Sequence, residues 1–143
     1  MSVVARRRID ELLAAARSRI VRYTPEEAQS ADIVLVDIRS HDERAHDGII
    51  PGSIHVPRSV LEWRCDPESG WSNPAVSDRA LPLVLVCAHG YSSSFAAAAL
   101  VELGFDRAGD LVGGFEAWRQ AGLPVADAPP ALDDALPGMG GPQ

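Results

Sequence analysis

Residues 83–93 carry the clearest structural signal in this chain. Residues 83–86 are Leu-Val-Leu-Val, an apolar run typical of a buried strand. Cys87 follows, then a short loop with one glycine, and serines begin an alanine-rich helical segment. A strand–loop–helix turn directs backbone N–H groups and the positive end of the helix dipole into the loop. Both favour the thiolate, which is the reactive form of cysteine, so we expect an enzyme built around Cys87.

Strands and helices alternate along the rest of the chain. The patterns predict strands over residues 33–36, 53–56 and 108–112, and helices over residues 9–20, 93–103 and 115–120. Because the best strands are apolar throughout, we predict a mostly parallel sheet with helices on both faces. Ligand sites in such folds lie at the carboxyl ends of strands. Cys87 and the segment Asp37-Ile38-Arg39 lie at two such ends.

The ends of the chain differ from its centre. Residues 1–22 predict an N-terminal helix whose apolar face we expect to pack on the domain. That face consists of Ile9, Leu12, Leu13, Ala16 and Ile20. A capping box at Thr24 and Glu27 marks the next helix start. Residues 126–143 are rich in Pro and Gly and show no periodicity, which predicts a flexible tail.

Composition limits the classes of function. A chain of 143 residues fits one domain. Its net charge of −7 argues against a nucleic-acid partner, because binding to phosphates requires a basic face. For the same reason any anion site must be formed locally. No apolar run reaches membrane-spanning length and no secretory signal is visible, so we expect no membrane partner. Two cysteines are too few for a disulfide scaffold, which favours the cytoplasm.

Four segments, in order along the chain, carry a family pattern. They are Asp37-Ile38-Arg39, residues 48–57, residues 87–92, and residues 111–124 with their Gly113-Gly114 pair and Trp118. Through these segments residues 24–125 resemble the single-domain rhodanese-like sulfurtransferases. The resemblance implies an α/β fold, the rhodanese-like three-layer α/β/α arrangement with a mostly parallel central sheet, in a domain of residues 23–125. The oligomeric state stays open.

The resemblance also implies a reaction. The Cys87 thiolate would attack the outer, sulfane sulfur of a small donor such as thiosulfate, and sulfite would leave. The Cys87 persulfide would then pass its sulfur to a thiophilic acceptor, cyanide or a thiol. Two half-reactions through a covalent intermediate predict ping-pong kinetics. We expect no cofactor and no metal, since His41, His46 and His55 lack metal-ligand spacing with the cysteines.

The loop after Cys87 forms the expected substrate site. The resemblance assigns substrate binding to Ala88, His89, Gly90, Tyr91 and Ser92. Ala88 and Ser92 stand where many active members carry Arg or Lys, so the loop has no fixed positive charge. Backbone amides and the helix dipole, with protonated His89 as an aid, would then lower the Cys87 pKa. His89 and Tyr91 either line the pocket or contribute only their N–H groups.

Several residues near the loop each have two interpretations. Arg58 either supplies the positive charge that the loop lacks or is a solvated surface arginine. Asp37 and Arg39 are either catalytic or, as we favour, an ion pair that supports the strand end. Ser93 either supports the sulfur site or caps the following helix. Cys65 is either a resolving thiol or, as we favour, an incidental cysteine.

Two other functions fit a cysteine in such a loop. A non-catalytic rhodanese-like module would use Cys87 for binding or for sensing sulfide. A Cys-loop phosphatase or arsenate reductase would clamp a tetrahedral oxyanion with an arginine, which residues 88–93 do not contain. Sulfur transfer is therefore the function that we expect.

Overall fold

The computed structural model describes residues 5–130, which form a parallel five-stranded sheet with helices. The strands are β1 Val21–Tyr23, β2 Val34–Asp37, β3 Ile54–His55, β4 Leu83–Val86 and β5 Gly109–Leu111. The helices are α1 Ile9–Arg17, α2 Pro25–Ser30, α3 His41–Asp47, α4 Leu61–Cys65, α5 Ser92–Glu102 and α6 Gly114–Gln120, with a 3-10 turn, Arg58–Val60, before α4. The order in the sheet is β1-β5-β4-β2-β3, and every neighbouring pair is parallel.

β4 lies at the centre of the sheet, between β5 and β2. All four of its residues are buried, because alternate side chains enter two separate cores. Leu85 packs in the core that contains residues of α4 and α5, whereas Val86 packs with Phe115 and Trp118 of α6. Burial of both faces explains the uninterrupted apolar run. The two cores confirm the predicted three-layer α/β/α fold.

The ends of the helices follow the capping signals. The Thr24 hydroxyl accepts a hydrogen bond from the Glu27 N–H at 3.2 Å, and the Glu27 carboxylate accepts one from the Thr24 N–H at 2.9 Å. This is the predicted capping box. The helix predicted over residues 93–103 is α5, displaced by one residue at each end. β3 and β5 are shorter than their predicted strands, because pairing covers only their central residues.

α1 packs against α5 through part of its apolar face. Ala16 is buried there, and the side chains of Arg19 and Glu102 approach to 3.7 Å. Ile9 and Leu12, predicted on the same packed face, are 64% and 38% exposed. The contact therefore involves mainly the second half of α1, which leads to β1, the edge strand that pairs with β5.

The segment after α6 returns to the domain. Ala126, predicted as the first residue of the tail, forms an antiparallel bridge with Ile49, with N–O distances of 2.8 and 2.9 Å. Residues 131–143 of the predicted tail lie outside the described residues. Within residues 5–130 no helix is both long and apolar enough to cross a membrane.

Candidate active site

Cys87 directly follows β4, at the carboxyl end of the sheet. Residues 87–92, here called the cysteine loop, lead from β4 into α5. Two backbone N–H groups donate to the Cys87 sulfur, that of Gly90 at 3.1 Å and that of Ser93 at 3.4 Å. The residue is only 6% exposed. The sulfur thus lies among N–H donors, which stabilise negative charge on it.

The surroundings of Cys87 act on its pKa in both directions. Burial is the largest single influence and raises the pKa, whereas hydrogen bonds from Ser93, Ser92 and Gly90 lower it, and the net pKa lies below the ordinary thiol value. The Ser93 hydroxyl also lies 2.8 Å from Asp110 Oδ2. Because a hydroxyl has one proton and a carboxylate is the stronger acceptor, we assign the backbone N–H groups as the main donors to the sulfur.

Close contact between two glycine turns fixes the cysteine loop. Gly90 has a φ of +84°, and a Cβ at this position would lie 2.6 Å from the nitrogen of Gly113. Gly114 has a φ of +64°, and a Cβ there would lie 2.4 Å from the Cys87 carbonyl oxygen. Both positions require glycine, for the backbone conformation and for space. The absence of a Cβ at these glycines therefore allows the cysteine loop to pack directly against the turn between β5 and α6.

The first turn of α6 binds two carbonyl groups of the cysteine loop. The Phe115 N–H donates to the Cys87 carbonyl at 2.8 Å, and the Glu116 N–H donates to the Ala88 carbonyl at 3.1 Å. In a trans peptide the N–H and C=O point in opposite directions, so the N–H groups of Ala88 and His89 face away from α6. Neither donates to another group within residues 5–130, which leaves both available to a ligand.

Asp37 and Arg39 form a buried ion pair at the end of β2. Arg39 donates to both carboxylate oxygens of Asp37, at 3.1 and 2.9 Å, and Arg44 donates to the same carboxylate at 3.1 Å. The Arg39 guanidinium also lies 3.9 Å from the centroid of the Phe115 ring. Because the Phe115 N–H holds the Cys87 carbonyl, the pair supports the cysteine loop through Phe115 and has no direct contact with the sulfur.

Three charged residues that the sequence patterns do not single out also contact the cysteine loop or the start of α5. Asp110 of β5 is fully buried and accepts hydrogen bonds from the hydroxyls of Ser93 and Ser94, both at 2.8 Å. Arg22 pairs with Asp110 at 2.8 Å and donates to the Gly90 carbonyl. Arg17 donates to the same carbonyl. The sequence signal for this network is Asp110, a charged residue within the predicted strand 108–112. A carboxylate buried in a strand requires hydrogen-bond or ion-pair partners.

The remaining predicted site residues differ in exposure. His89, Tyr91 and Ser92 are exposed on the cysteine loop, whereas Ala88 is half-buried and Gly90 is buried. Arg58 begins the 3-10 turn, and its guanidinium donates to the Glu62 carboxylate at 2.7 Å, with a side chain that is 40% exposed. Within residues 5–130 no hydrogen bond or ion pair joins Arg58 to the cysteine loop. The structure therefore gathers the loop residues and leaves Arg58 paired elsewhere.

Cys65 lies in a different environment from Cys87. It is fully buried in the apolar core at the end of α4, and both cysteines are free thiols. Burial, with a smaller contribution from Glu62, raises the pKa of Cys65 to about 12. A thiol with this pKa carries almost no thiolate at neutral pH. Within the described residues no cluster of three or more His, Cys, Asp or Glu side chains forms a metal site.

Comparisons with known proteins identify the family of the chain. A family model described as a rhodanese-like domain matches residues 23–121. The chain belongs to the rhodanese-like domain family. This rhodanese-like protein is 41% identical over 101 residues to the thiosulfate sulfurtransferase GlpE of Stutzerimonas stutzeri, covering 68% of this chain and 84% of that protein. It is 34% identical over 109 residues to the GlpE of Actinobacillus succinogenes, covering 73% and 89%.

Two solved structures are similar in fold. A Rhodopseudomonas palustris protein of unknown function, described as a possible tyrosine phosphatase, superposes on this rhodanese-like protein with a TM-score of 0.77 at 35% identity, covering 87% of this chain and 98% of that one. The polysulfide-sulfur transferase homodimer of Wolinella succinogenes gives a TM-score of 0.63 at 28% identity, covering 83% and 87%. Both likenesses extend over most of each chain.

Proposed function

We propose that this rhodanese-like protein is a sulfurtransferase that moves a sulfane sulfur through a persulfide on Cys87. The observation that carries the proposal is the position of the Cys87 sulfur at the carboxyl end of the central strand. There it accepts hydrogen bonds from two backbone N–H groups, at 3.1 and 3.4 Å. Its lowered pKa increases the thiolate fraction. Relatives named thiosulfate sulfurtransferase cover more than two thirds of the chain, which makes thiosulfate the first donor to test.

The first half-reaction loads the enzyme. The Cys87 thiolate attacks the outer sulfur of thiosulfate, a bond forms between the two sulfur atoms, and the bond to the sulfonate sulfur breaks. Sulfite leaves with that electron pair, and the negative charge of the thiolate moves to the terminal sulfur of the Cys87 persulfide. The unoccupied N–H groups of Ala88 and His89 are the donors that we assign to this terminal sulfur.

The second half-reaction returns the enzyme to its starting state. A thiophilic acceptor, cyanide in the assay or a thiol in the cell, attacks the terminal sulfur of the persulfide. The S–S bond breaks, the transferred sulfur leaves on the acceptor, and the electron pair restores the Cys87 thiolate. The exposed side chains of His89, Tyr91 and Ser92 border the route by which donor and acceptor reach the sulfur. No redox cofactor is needed, because the electrons balance between the two substrates.

The Asp37–Arg39 pair has a positioning role in this proposal. The Asp37 carboxylate accepts hydrogen bonds from both Arg39 and Arg44, and Arg39 also donates to the Gly48 carbonyl at 2.7 Å. A pair so engaged is a poor proton donor and a good support for Phe115. Ser93 supports the loop in the same way, through its backbone N–H to the sulfur and its hydroxyl to Asp110.

A reducing compartment, the cytoplasm, suits both the free thiols and a reactive thiolate. The proposed small-molecule partners are a sulfane-sulfur donor and a thiol or cyanide acceptor.

Steady-state kinetics test the proposed function. Thiocyanate formation from thiosulfate and cyanide should follow parallel double-reciprocal lines, the pattern of a ping-pong reaction. Cys87→Ser should abolish it, whereas Cys65→Ser, the matched control, should retain it. An aryl phosphate assay run beside it tests the phosphatase alternative, which the absence of arginine in residues 88–93 disfavours. Phosphate release without thiocyanate formation would overturn the proposal. No thiocyanate from any sulfane donor, together with no phosphate release, would also overturn it, since the protein would then be a binding or sensing module.

A further inference from the structure

Arg17 lies at the end of α1 and reaches the cysteine loop from outside the segment that matches the family. The family model begins at residue 23. The Arg17 Nη2 donates to the Gly90 carbonyl at 2.8 Å, and its Nε donates to the Ser94 hydroxyl at 3.1 Å. The guanidinium also lies 5.6 Å from the centroid of the Tyr91 ring. One side chain thus contacts the cysteine loop at two residues and the first turn of α5 at a third.

The contact with Gly90 acts on the residue whose N–H donates to the sulfur, through the carbonyl of the following peptide. Gly90 donates its N–H to Cys87 Sγ at 3.1 Å, while its carbonyl accepts from Arg17 at 2.8 Å and from Arg22 at 3.2 Å. Gly90 has a φ of +84°. Because glycine adopts positive and negative φ about equally readily, its own sterics do not restrict it to this conformation. Two guanidinium donors on its carbonyl therefore restrict the residue to the conformation in which its N–H points at the sulfur.

The two arginines differ in whether a carboxylate compensates their charge. Arg22 is paired with the buried Asp110 carboxylate at 2.8 Å, so its charge is compensated. Within residues 5–130 no carboxylate lies within 4 Å of Arg17. The other charged or titratable groups around the loop are His89 and Tyr91 on the loop, Glu116 on α6, Asp37 and Arg39 at the end of β2, and Asp110 on β5. Arg17 is thus the arginine at the loop whose positive charge is not offset by an ion pair.

We propose that Arg17 is a positioning residue for the cysteine loop, which holds the Gly90 carbonyl outward and supplies from α1 the positive charge that the loop side chains lack. The importance of this role for sulfur transfer rests on the proposed function. Arg17 acts through the backbone of Gly90, because its hydrogen bond is to the Gly90 carbonyl, and the N–H of the same residue donates to the sulfur. It has no contact with Cys87 itself. In this proposal α1 is a part of the active site.

The test measures the reactivity of the Cys87 thiolate with iodoacetamide, a neutral reagent, as a function of pH. This readout does not require sulfur transfer, so it separates failure of this inference from failure of the proposed function. For Arg17→Ala the midpoint of the pH profile should rise by about 0.5–1 pH unit, which lowers the alkylation rate near neutral pH about three- to tenfold. Arg17→Lys, which keeps the charge and a donor, should recover most of the rate.

Arg19→Ala is the matched control. Arg19 also joins the α1 end of the chain to α5, through Glu102 at 3.7 Å, and does not contact the cysteine loop. Its pH profile should coincide with that of the wild type. If Arg17→Ala does not fold, Arg17→Gln, of similar length but neutral, provides the same comparison with Arg17→Lys. An unchanged midpoint in the neutral variant would overturn the proposal, and so would an Arg17→Lys variant as impaired as the neutral one, because packing alone would then explain the effect.

Discussion

The two cysteines of this protein have opposite surroundings at the scale of single residues. The Cys87 sulfur accepts hydrogen bonds from the backbone N–H groups of Gly90 and Ser93. Burial raises the pKa of Cys87, but these bonds and the side-chain hydrogen bonds of Ser92 and Ser93 outweigh it, so the pKa lies below the ordinary thiol value. Cys65 has an apolar environment, and burial raises its pKa to about 12. The same residue type therefore lies in surroundings that favour the reactive thiolate at one position and in the apolar core at the other.

This difference predicts selective alkylation. In the native protein iodoacetamide should modify Cys87 at neutral pH and leave Cys65 unmodified, which peptide mass spectrometry distinguishes. The rate at Cys87 should rise with pH, because deprotonation creates the nucleophile, and should reach half its maximum below the pH expected for an ordinary thiol. A midpoint at or above that value would contradict the assigned hydrogen bonds.

Arg58 gives a second prediction at this scale. Its ion pair with Glu62, at 2.7 Å and four residues apart, favours the surface interpretation over a role in binding the donor. Arg58→Ala should therefore leave the KM for thiosulfate within about twofold of the wild-type value, because an exposed pair contributes little. Steady-state assays at fixed cyanide measure this. A KM raised several-fold would return Arg58 to the anion site.

At the scale of elements, two connections meet near the sulfur, the cysteine loop and the turn between β5 and α6. The cysteine loop contacts the turn between β5 and α6 through Gly90, Gly113 and Gly114. The first turn of α6 holds two carbonyls of the loop. The loop conformation thus depends on a turn that lies more than twenty residues later in the sequence.

Gly114→Ala tests this dependence. The added Cβ would lie 2.4 Å from the Cys87 carbonyl oxygen, so the loop or α6 must move, and we expect kcat to fall by about tenfold or more. Gly122→Ala is the control, because Gly122 also has a positive φ, +75°, but its Cβ would meet nothing within 4 Å. It should cost only backbone strain, about 1 kcal/mol, which thermal unfolding measures. Equal kcat in both variants would contradict the role of the glycine contact.

Local patterns explain which parts of this architecture could be predicted. β4, the capping box at Thr24 and the glycine-rich turn after β5 each have a signature within a few residues, and all are present. Local patterns do not determine where a strand ends, because pairing with a neighbouring strand decides it. The contact of Arg17 with Gly90 joins residues 73 positions apart. No local pattern predicts which arginine of the N-terminal segment donates to the Gly90 carbonyl.

At the scale of the whole molecule, the distribution of charge matters more than its sum. The chain has a net charge of −7, which disfavours the approach of a dianion such as thiosulfate. The described structure compensates with backbone N–H groups around Cys87 and with arginines from α1 and β1 at the Gly90 carbonyl. The sequence predicts a loop without fixed positive charge, and the fold brings to its Gly90 carbonyl one arginine, Arg17, whose charge no ion pair within residues 5–130 offsets.

Intact mass spectrometry after incubation with thiosulfate alone tests the central claim most directly. Without an acceptor the first half-reaction should leave one added sulfur atom on the wild-type protein and on Cys65→Ser, and none on Cys87→Ser. Subsequent addition of cyanide should remove the sulfur. An unmodified wild-type protein, or added sulfur that persists in Cys87→Ser, would contradict the account of Cys87 as the sulfur carrier.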